Sequence, residues 1–167
     1  KVLVLEAIEL TDSPAEILTR INRRYAAIIM PGHFATMVVA MLDSNARTLV
    51  CANAGHEPPF IHEPGKPVTR LDVGNLMLGV DETIDYCERS MSIAVGTKIV
   101  LVSDGVTESF DPDDKQFGTN RVAKVIANST DGAAQVVKDF SEALSQFRRS
   151  RPPFDDTTLL AAELVNC

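Results

Sequence analysis

The sequence predicts an α+β fold built mainly from antiparallel strands. Helical patterns at the start are followed by a β-hairpin and short strands, and the chain closes with helices and one returning strand. The strict alternation of strands and helices that is typical of a parallel doubly wound sheet is absent. With 167 residues and 45% apolar content, the chain has the size of one domain and enough apolar side chains to bury a core. We therefore expect a single domain over residues 1–167.

The first two elements are predicted to be helices. Residues 1–10 are apolar apart from two glutamates, which favours a mostly buried helix over a strand. A second helix is expected after Ser13, because Ser13 and Glu16 have the spacing of a capping box and Pro14 occupies the first helical position. Apolar residues at helical spacing extend this element to about Met30.

The middle of the chain has the composition of β-strands. Residues 33–42 and 48–54 are rich in Val, Met, Thr and Phe, and the segment between them supplies turn chemistry. These two runs are predicted to form a β-hairpin. Shorter strands are predicted at residues 68–71, 86–94 and 98–102.

Two helices and a final strand are predicted after Gly118. The first helix covers residues 121–128, and the second begins near Asp131 and is stopped by two prolines at 152–153. Arginines precede those prolines, where the helix dipole favours cations. The apolar face of the second helix is predicted to carry Val136, Val137, Phe140, Leu144 and Phe147. The final strand is expected at residues 157–164.

The charge balance argues against some classes of partner. Sixteen Lys and Arg against 23 Asp and Glu give a formal net charge of −7, which is a poor electrostatic match for nucleic acid. The apolar runs are too short to cross a bilayer, so no membrane insertion is expected. Neither a nucleic-acid-binding nor a membrane-spanning function is therefore predicted.

The cysteines indicate the cellular compartment of the protein, and the first residue indicates whether the chain extends further upstream. Cys51, Cys87 and Cys167 form neither an even disulfide framework nor a CxxC pair, which fits a reducing cytoplasm. The sequence begins at Lys1 rather than Met, so we expect further chain upstream.

Carboxylates lie at the ends of two apolar strands. Asp104 follows the apolar run 99–102, and Asp155 and Asp156 precede the final strand. A carboxylate held at the end of a rigid strand can face an open crevice, as a metal ligand or general base requires. The local pattern leaves another interpretation open, in which Asp104 lies in a simple turn and Asp155 or Asp156 caps a loop.

Other candidate sites have weaker support. His56 ends the second hairpin strand, where a lone histidine is more often structural than catalytic. The acidic segment 111–114 lacks the ligand spacing, central Gly and closing Glu of a calcium loop, so a solvated turn is predicted. No G-x-S-x-G elbow, Walker loop or H-E-x-x-H motif supports other catalytic chemistry.

Six short motifs occur in order along the chain. They are residues 34–37 (FATM), 52–59 (ANAGHEPP), 76–79 (LMLG), 102–108 (VSDGVTE), 117–118 (FG) with Arg121, and 155–158 (DDTT). Together, from about Ser13 to Leu164, they resemble the SpoIIE-type serine/threonine phosphatases of the metal-dependent PPM class. The resemblance implies that residues 1–167 are the C-terminal portion of such a domain, with its N-terminal part missing.

The resemblance also implies a fold and a set of site residues. The fold would be a two-layer, mostly antiparallel β-sandwich flanked by helices, with a two-metal centre of Mn²⁺ or Mg²⁺. Asp104 and Asp155 match metal-binding aspartates of the family and would be catalytic, with Asp156 as a less favoured neighbouring ligand. His56 is given no catalytic role, because the wider class has an aspartate in that region.

The chemistry expected from the resemblance is phosphate-ester hydrolysis. Two cations about 3.5–4 Å apart would lower the pKa of a bridging water from about 15.7 towards about 7, giving a hydroxide that attacks phosphorus in line. The substrate would be phosphoserine or phosphothreonine on a regulatory protein similar to an anti-anti-sigma factor. The chain would then be the output domain of a signalling protein.

The sequence departs from the family pattern in one respect. The G-D-x-x-D and D-x-x-G-H-G segments that supply the remaining ligands do not occur in residues 1–167, so we expect them upstream and expect this segment alone to be a poor enzyme. Two alternatives stay open. One is a pseudophosphatase that serves as a protein-binding or dimerisation module, which leaves a homodimer open. The other is a metal-dependent hydrolase of small phosphoesters.

Overall fold

The computed structural model describes residues 2–166, which divide into two compact units. The first unit contains the residues up to Pro58 together with Asp72–Ile93, and the second contains Pro59–Leu71 and the residues from Ala94 onward. In chain order the elements are α1 (Val2–Ile8), α2 (Pro14–Ala26), β1 (Met37–Asp43), β2 (Thr48–Ala54), β3 (Phe60–His62), β4 (Thr69–Arg70), β5 (Glu88–Ser92), β6 (Lys98–Val102), α3 (Asp104–Thr107), α4 (Gly118–Asn128), α5 (Gly132–Arg148) and β7 (Leu159–Glu163).

The first unit contains α1, α2 and a three-stranded antiparallel sheet in the order β1-β2-β5. The predicted hairpin is present, and its register pairs Asp43 with Thr48 across the turn. The core of this unit lies between α2 and the sheet. Its buried residues are Ala7, Ile17, Leu18, Ile21, Ala52, Ala54, Leu78 and Tyr86.

The N-terminus of α2 is capped as the sequence predicts, with an additional partner from the sheet. The Ser13 hydroxyl accepts a hydrogen bond from the Glu16 amide at 3.2 Å. The Glu88 carboxylate of β5 accepts from the Ser13 hydroxyl at 2.7 Å and from the Ala15 amide at 3.0 Å. Because the first amides of a helix have no partner within the helix, a carboxylate here satisfies one of them and complements the helix dipole.

Two expectations about the first unit are wrong. The helix α1 forms, but it is not mostly buried, because Ala7 is its one buried residue among residues 2–8 and Val2 and Leu5 are exposed. The helix α2 ends at Ala26 rather than near Met30. Beyond Ala26 the apolar side chains no longer face the core, and Ile28 is 72% exposed.

The second unit contains a four-stranded antiparallel sheet in the order β4-β3-β6-β7, together with α3, α4 and α5. Its core gathers aromatic and branched residues from the strands and the two long helices. The buried members are Phe60, Val100, Val102, Val106, Phe117, Val122, Ile126, Val136, Phe140 and Leu144. The predicted apolar face of α5 is correct except for Val137, which is 44% exposed because it lies about 100° around the helix from Val136.

The prediction of an α+β fold with antiparallel sheets and helices is confirmed. Two short elements were not predicted, the three-residue strand β3 and the one-turn helix α3. Within residues 2–166, no helix has both the length and the apolar character needed to cross a bilayer.

Candidate functional site

The pairing of β6 with β7 brings the predicted site residues to one end of a sheet. These strands are antiparallel, and Val102 at the end of β6 lies opposite Leu159 at the start of β7. Asp104 comes two residues after Val102, and Asp155 comes four residues before Leu159. The structure therefore places Asp104, Asp155 and Asp156 in neighbouring segments within the second unit.

Ser103 joins these two segments directly. Its amide donates to the Thr158 carbonyl at 3.0 Å, which continues the strand pairing past the end of β6. Its hydroxyl donates to the Asp156 carbonyl at 3.2 Å and accepts from the Thr158 amide at 3.0 Å. Three hydrogen bonds from one residue thus connect the turn before Asp104 to the loop that carries Asp155.

Gly105 allows the same two segments to approach closely. A Cβ atom added to Gly105 would lie 2.2 Å from the Asp156 carbonyl oxygen and 3.5 Å from that of Asp155. Real Cβ atoms essentially never come within 3.0 Å of another heavy atom outside their chain neighbours. The absence of a side chain at Gly105 is therefore a steric requirement of this packing.

The three carboxylates are exposed and lack a cationic partner. An oxygen of Asp104 accepts from the Gly105 amide at 2.9 Å, and an oxygen of Asp155 accepts from the Asp156 amide at 2.7 Å. Across residues 2–166, no ion pair engages Asp104, Asp155 or Asp156. Because no neighbouring cation neutralises these carboxylates, a bound cation would meet uncompensated negative charge here.

The carboxylate oxygens of this site are the type of ligand that a hard divalent cation prefers, but within residues 2–166 there are too few of them to form a complete site. Carboxylate oxygens are the ligands that Mg²⁺ prefers, and Mn²⁺ also suits them. In the part of the chain that the structure describes, no group of three or more His, Cys, Asp or Glu side chains is close enough to hold a metal ion. The carboxylates of this region could supply part of a coordination sphere, and further ligands would be needed to complete it.

The loop before β7 has a second attachment, which sequence reasoning missed. The ring of Phe154 meets the ring of Phe110 edge to face at 6.1 Å, and the guanidinium of Arg151 lies 5.2 Å from the centre of the Phe110 ring. Arg151 also donates to the Asp111 carbonyl at 2.9 Å and to the Asp114 carboxylate at 2.5 Å. Arg151 therefore connects this loop to the acidic segment 111–114.

The acidic segment 111–114 is held by local hydrogen bonds between the Asp111 side chain and nearby backbone amides. The Asp111 carboxylate accepts from the amides of Lys115 and Asp113, both at 2.9 Å. The bond from Lys115 is the main cause that lowers the pKa of Asp111 below its usual value. This arrangement agrees with the predicted acidic turn.

His56 lies in a loop held by backbone contacts in the first unit. The Asn53 side chain accepts from the His56 amide and donates to the His56 carbonyl, each at 2.8 Å. The His56 ring lies 3.1 Å from the Thr36 hydroxyl. These contacts tie the His56 backbone to Asn53 and its ring to Thr36.

Sequence reasoning also missed Ser103 and Gly105 as the residues that join the two segments. Both lie in the motif at residues 102–108, next to Asp104. A Ser at the N-cap position of a helix normally caps that helix, so the local pattern points away from the observed contact with Asp156. The sequence also offers no indication of the contacts of Arg151, because the helix dipole is enough to explain a basic residue after a helix.

Comparison with known structures defines the class of fold. The SiaA-PP2C domain of Pseudomonas aeruginosa superposes with a TM-score of 0.85 at 21% identity, covering 97% of this chain and 66% of that one. The phosphatase domain of the cell fate determinant SpoIIE from Bacillus subtilis, solved after presoaking with Mn, superposes with a TM-score of 0.70 at 18% identity, covering 99% and 71%. The fold is therefore that of PP2C-type phosphatase domains.

Sequence comparison defines the family. The model described as stage II sporulation protein E (SpoIIE) matches residues 2–165, so the chain belongs to the SpoIIE family. Phosphoserine phosphatase RsbU of Bacillus subtilis (strain 168) is 32% identical over 96 residues, which are 57% of this chain and 29% of RsbU. This chain thus aligns with less than a third of that relative's length.

Proposed function

We propose that this chain is part of a metal-dependent protein phosphatase that hydrolyses phosphoserine or phosphothreonine on a regulatory protein. The observation that carries the proposal is the pairing of β6 with β7, which places Asp104 in a segment next to the one that carries Asp155, in a member of the SpoIIE family. Solvated carboxylates are common on protein surfaces. Solubility alone does not explain why the segments that carry Asp104 and Asp155 pack so tightly, with Gly105 against the Asp156 carbonyl.

Asp104 and Asp155 are proposed to hold Mn²⁺ or Mg²⁺ in a two-metal centre, with Asp156 beside them. Bound divalent cations would neutralise phosphate charge and activate a water for in-line attack on phosphorus. The protein's own contribution is to fix the carboxylates: β6 and β7 supply a rigid base, and the contacts of Ser103 hold the two segments in register. Asp104 and Asp155 are therefore proposed as catalytic residues.

The proposed substrate class follows from the relatives. RsbU is named a phosphoserine phosphatase, which supports phosphoserine as the substrate group. A regulatory protein similar to an anti-anti-sigma factor is proposed as the partner from the family resemblance. We further propose that residues 1–167 belong to one phosphatase domain, as its C-terminal portion, and that it acts in the cytoplasm. The cysteine usage supports that compartment, because no disulfide framework is present in the sequence.

The experiment measures phosphate release by the full gene product with Mn²⁺ on a phosphoserine-containing protein. We expect metal-dependent release that Asp104→Asn reduces by at least about a hundredfold, since loss of a metal-binding carboxylate removes both charge and a ligand. Asp113→Asn is the matched control, because Asp113 is an exposed aspartate of the acidic turn in the same unit. We expect the control to keep wild-type activity.

Three outcomes would contradict the proposal in different ways. Full activity in Asp104→Asn would refute the assignment of that residue. Binding of the phosphoprotein without any release of phosphate would favour the pseudophosphatase interpretation. Faster release from nucleotides than from any phosphoprotein would indicate a hydrolase of small phosphoesters.

A further inference from the structure

We infer that Ser103 is a positioning residue of the proposed metal centre, whose hydroxyl fixes the loop carrying Asp155 and Asp156 against the turn carrying Asp104. The inference rests on the proposed function, because it concerns the geometry of the same carboxylates. It assigns to Ser103 a role that is distinct from metal ligation. Ser103 acts through the backbone of its neighbours.

The first support is the hydrogen bonding of the Ser103 side chain. As the residue before α3, with φ −78° and ψ 165°, Ser103 has the conformation of an N-cap. Yet its hydroxyl makes no capping bond to that helix. Both hydrogen bonds of the hydroxyl go to the other segment, one to the Asp156 carbonyl and one from the Thr158 amide.

The second support is the position of these bonds relative to the strands. The ladder of β6 and β7 ends at Val102 and Leu159, and the Ser103 amide adds one more bond to the Thr158 carbonyl. Beyond that point the loop leaves the path of the strand. The Asp156 carbonyl there accepts a hydrogen bond from the Ser103 hydroxyl instead of from a backbone amide. The side chain thus extends the connection by two residues towards Asp155.

The third support is the packing of Gly105 against the same carbonyl. The Asp156 carbonyl oxygen lies 2.2 Å from the position of a Gly105 Cβ, so it is held between Ser103 and Gly105. These two residues flank Asp104. A shift of the Asp156 peptide would therefore change the separation between the carboxylates of Asp104 and Asp155.

We expect Ser103 to affect how tightly the site binds metal, and not the rate of the reaction once the metal is bound. Removing a residue that orients a metal ligand typically lowers the metal affinity about ten- to a hundredfold. Ser103 contacts backbone groups of the ligand-bearing loop, so its loss should weaken cation binding. Once the site is filled by excess metal, the turnover rate should recover.

The experiment compares Ser103→Ala with Ser103→Thr in the full gene product. Mn²⁺ binding is measured by the electron paramagnetic resonance signal of free Mn²⁺, and hydrolysis of p-nitrophenyl phosphate is measured over a series of Mn²⁺ concentrations. We expect Ser103→Ala to raise the Kd for Mn²⁺ about tenfold. We expect its kcat at saturating Mn²⁺ to stay within about twofold of wild type, and Ser103→Thr to restore the Kd, because Thr keeps the hydroxyl.

The matched control is Ser129→Ala, which removes another hydrogen-bonded hydroxyl of the same unit. The Ser129 hydroxyl bonds to the Val125 carbonyl and the Asp139 carboxylate, away from the site segments. We expect the Mn²⁺ affinity of this variant to equal that of wild type. An equal loss of affinity in Ser129→Ala and Ser103→Ala would overturn the inference, since general loosening of the unit would then explain both.

The remaining outcomes separate the inference from the proposed function. If wild type binds no Mn²⁺, both are overturned. If wild type binds Mn²⁺ and Ser103→Ala binds it equally well, only the positioning role fails. If Ser103→Ala does not fold by circular dichroism, Ser103→Cys replaces it, because a thiol is a weak donor and acceptor of similar size. An unchanged Kd in that folded variant overturns the inference in the same way.

Discussion

Gly105 and Asp156 pack so closely that a Cβ atom on Gly105 would lie 2.2 Å from the carbonyl oxygen of Asp156. The contact joins the motif that carries Asp104 to the loop that carries Asp155. Because the neighbouring atom belongs to the backbone, rotation of a side chain cannot relieve the clash. The close approach of these segments therefore depends on glycine at this position.

Gly105→Ala is expected to destabilise the protein. Alanine favours a helix by about 1 kcal/mol over glycine, but α3 is a single turn and overpacking typically costs about 1–3 kcal/mol. We expect the clash to prevail and the free energy of unfolding in urea to fall by about 2 kcal/mol. Gly74→Ala is the control, because the nearest atom to its Cβ would be an Asp72 carboxylate oxygen at 3.6 Å. Wild-type stability in Gly105→Ala would contradict the steric account.

Asn22→Ala is expected to destabilise the first unit through two lost hydrogen bonds. Asn22 is fully buried in α2, where it donates to the Asp81 carbonyl and accepts from the Gly79 amide, both at 2.8 Å. Both hydrogen bonds are part-buried, and a hydrogen bond contributes about 0.5–1.5 kcal/mol, so we expect a loss of roughly 2 kcal/mol in urea unfolding. Asn128→Ala, at an exposed position of α4, should change stability by less than about 0.5 kcal/mol. Equal effects in the two variants would contradict this role of Asn22.

The thiols of Cys51 and Cys87 are expected to react at very different rates. Cys51 is fully buried, and burial raises the pKa of its thiol to about 11, whereas Cys87 is exposed. At pH 8 only about one in a thousand Cys51 thiols would be ionised, and the thiolate is the reactive form. Iodoacetamide followed by peptide mapping should show labelling of Cys87 in the folded protein and of Cys51 only after unfolding. Rapid labelling of Cys51 under native conditions would show that β2 opens readily.

Much of the fold could be predicted because its longer elements have clear periodicity. The predicted strand boundaries at 48–54 and 98–102 are those of β2 and β6, where β-branched residues are bounded by turn residues. The strand β3 has three residues and α3 has one turn, and elements of this length are too short to show a period. Their formation depends on tertiary pairing, such as that of Phe60 with Val100.

The candidate site was predictable in part for a similar reason. Asp104 and Asp155 could be placed at strand ends from local pattern, and their role as metal ligands stays a prediction. Ser103 could not be recognised, because its hydroxyl contacts Asp156, 53 residues away along the chain. A contact of that kind depends on the register of β6 with β7, which no local signal specifies.

The most direct test of the central claim is Mn²⁺ binding measured by isothermal titration calorimetry on the full gene product and on Asp104→Asn and Asp155→Asn. If these two carboxylates share divalent cations, each substitution should raise the Kd at least tenfold, while Asp113→Asn should leave it unchanged. Wild-type affinity in either Asp104→Asn or Asp155→Asn would contradict the claim.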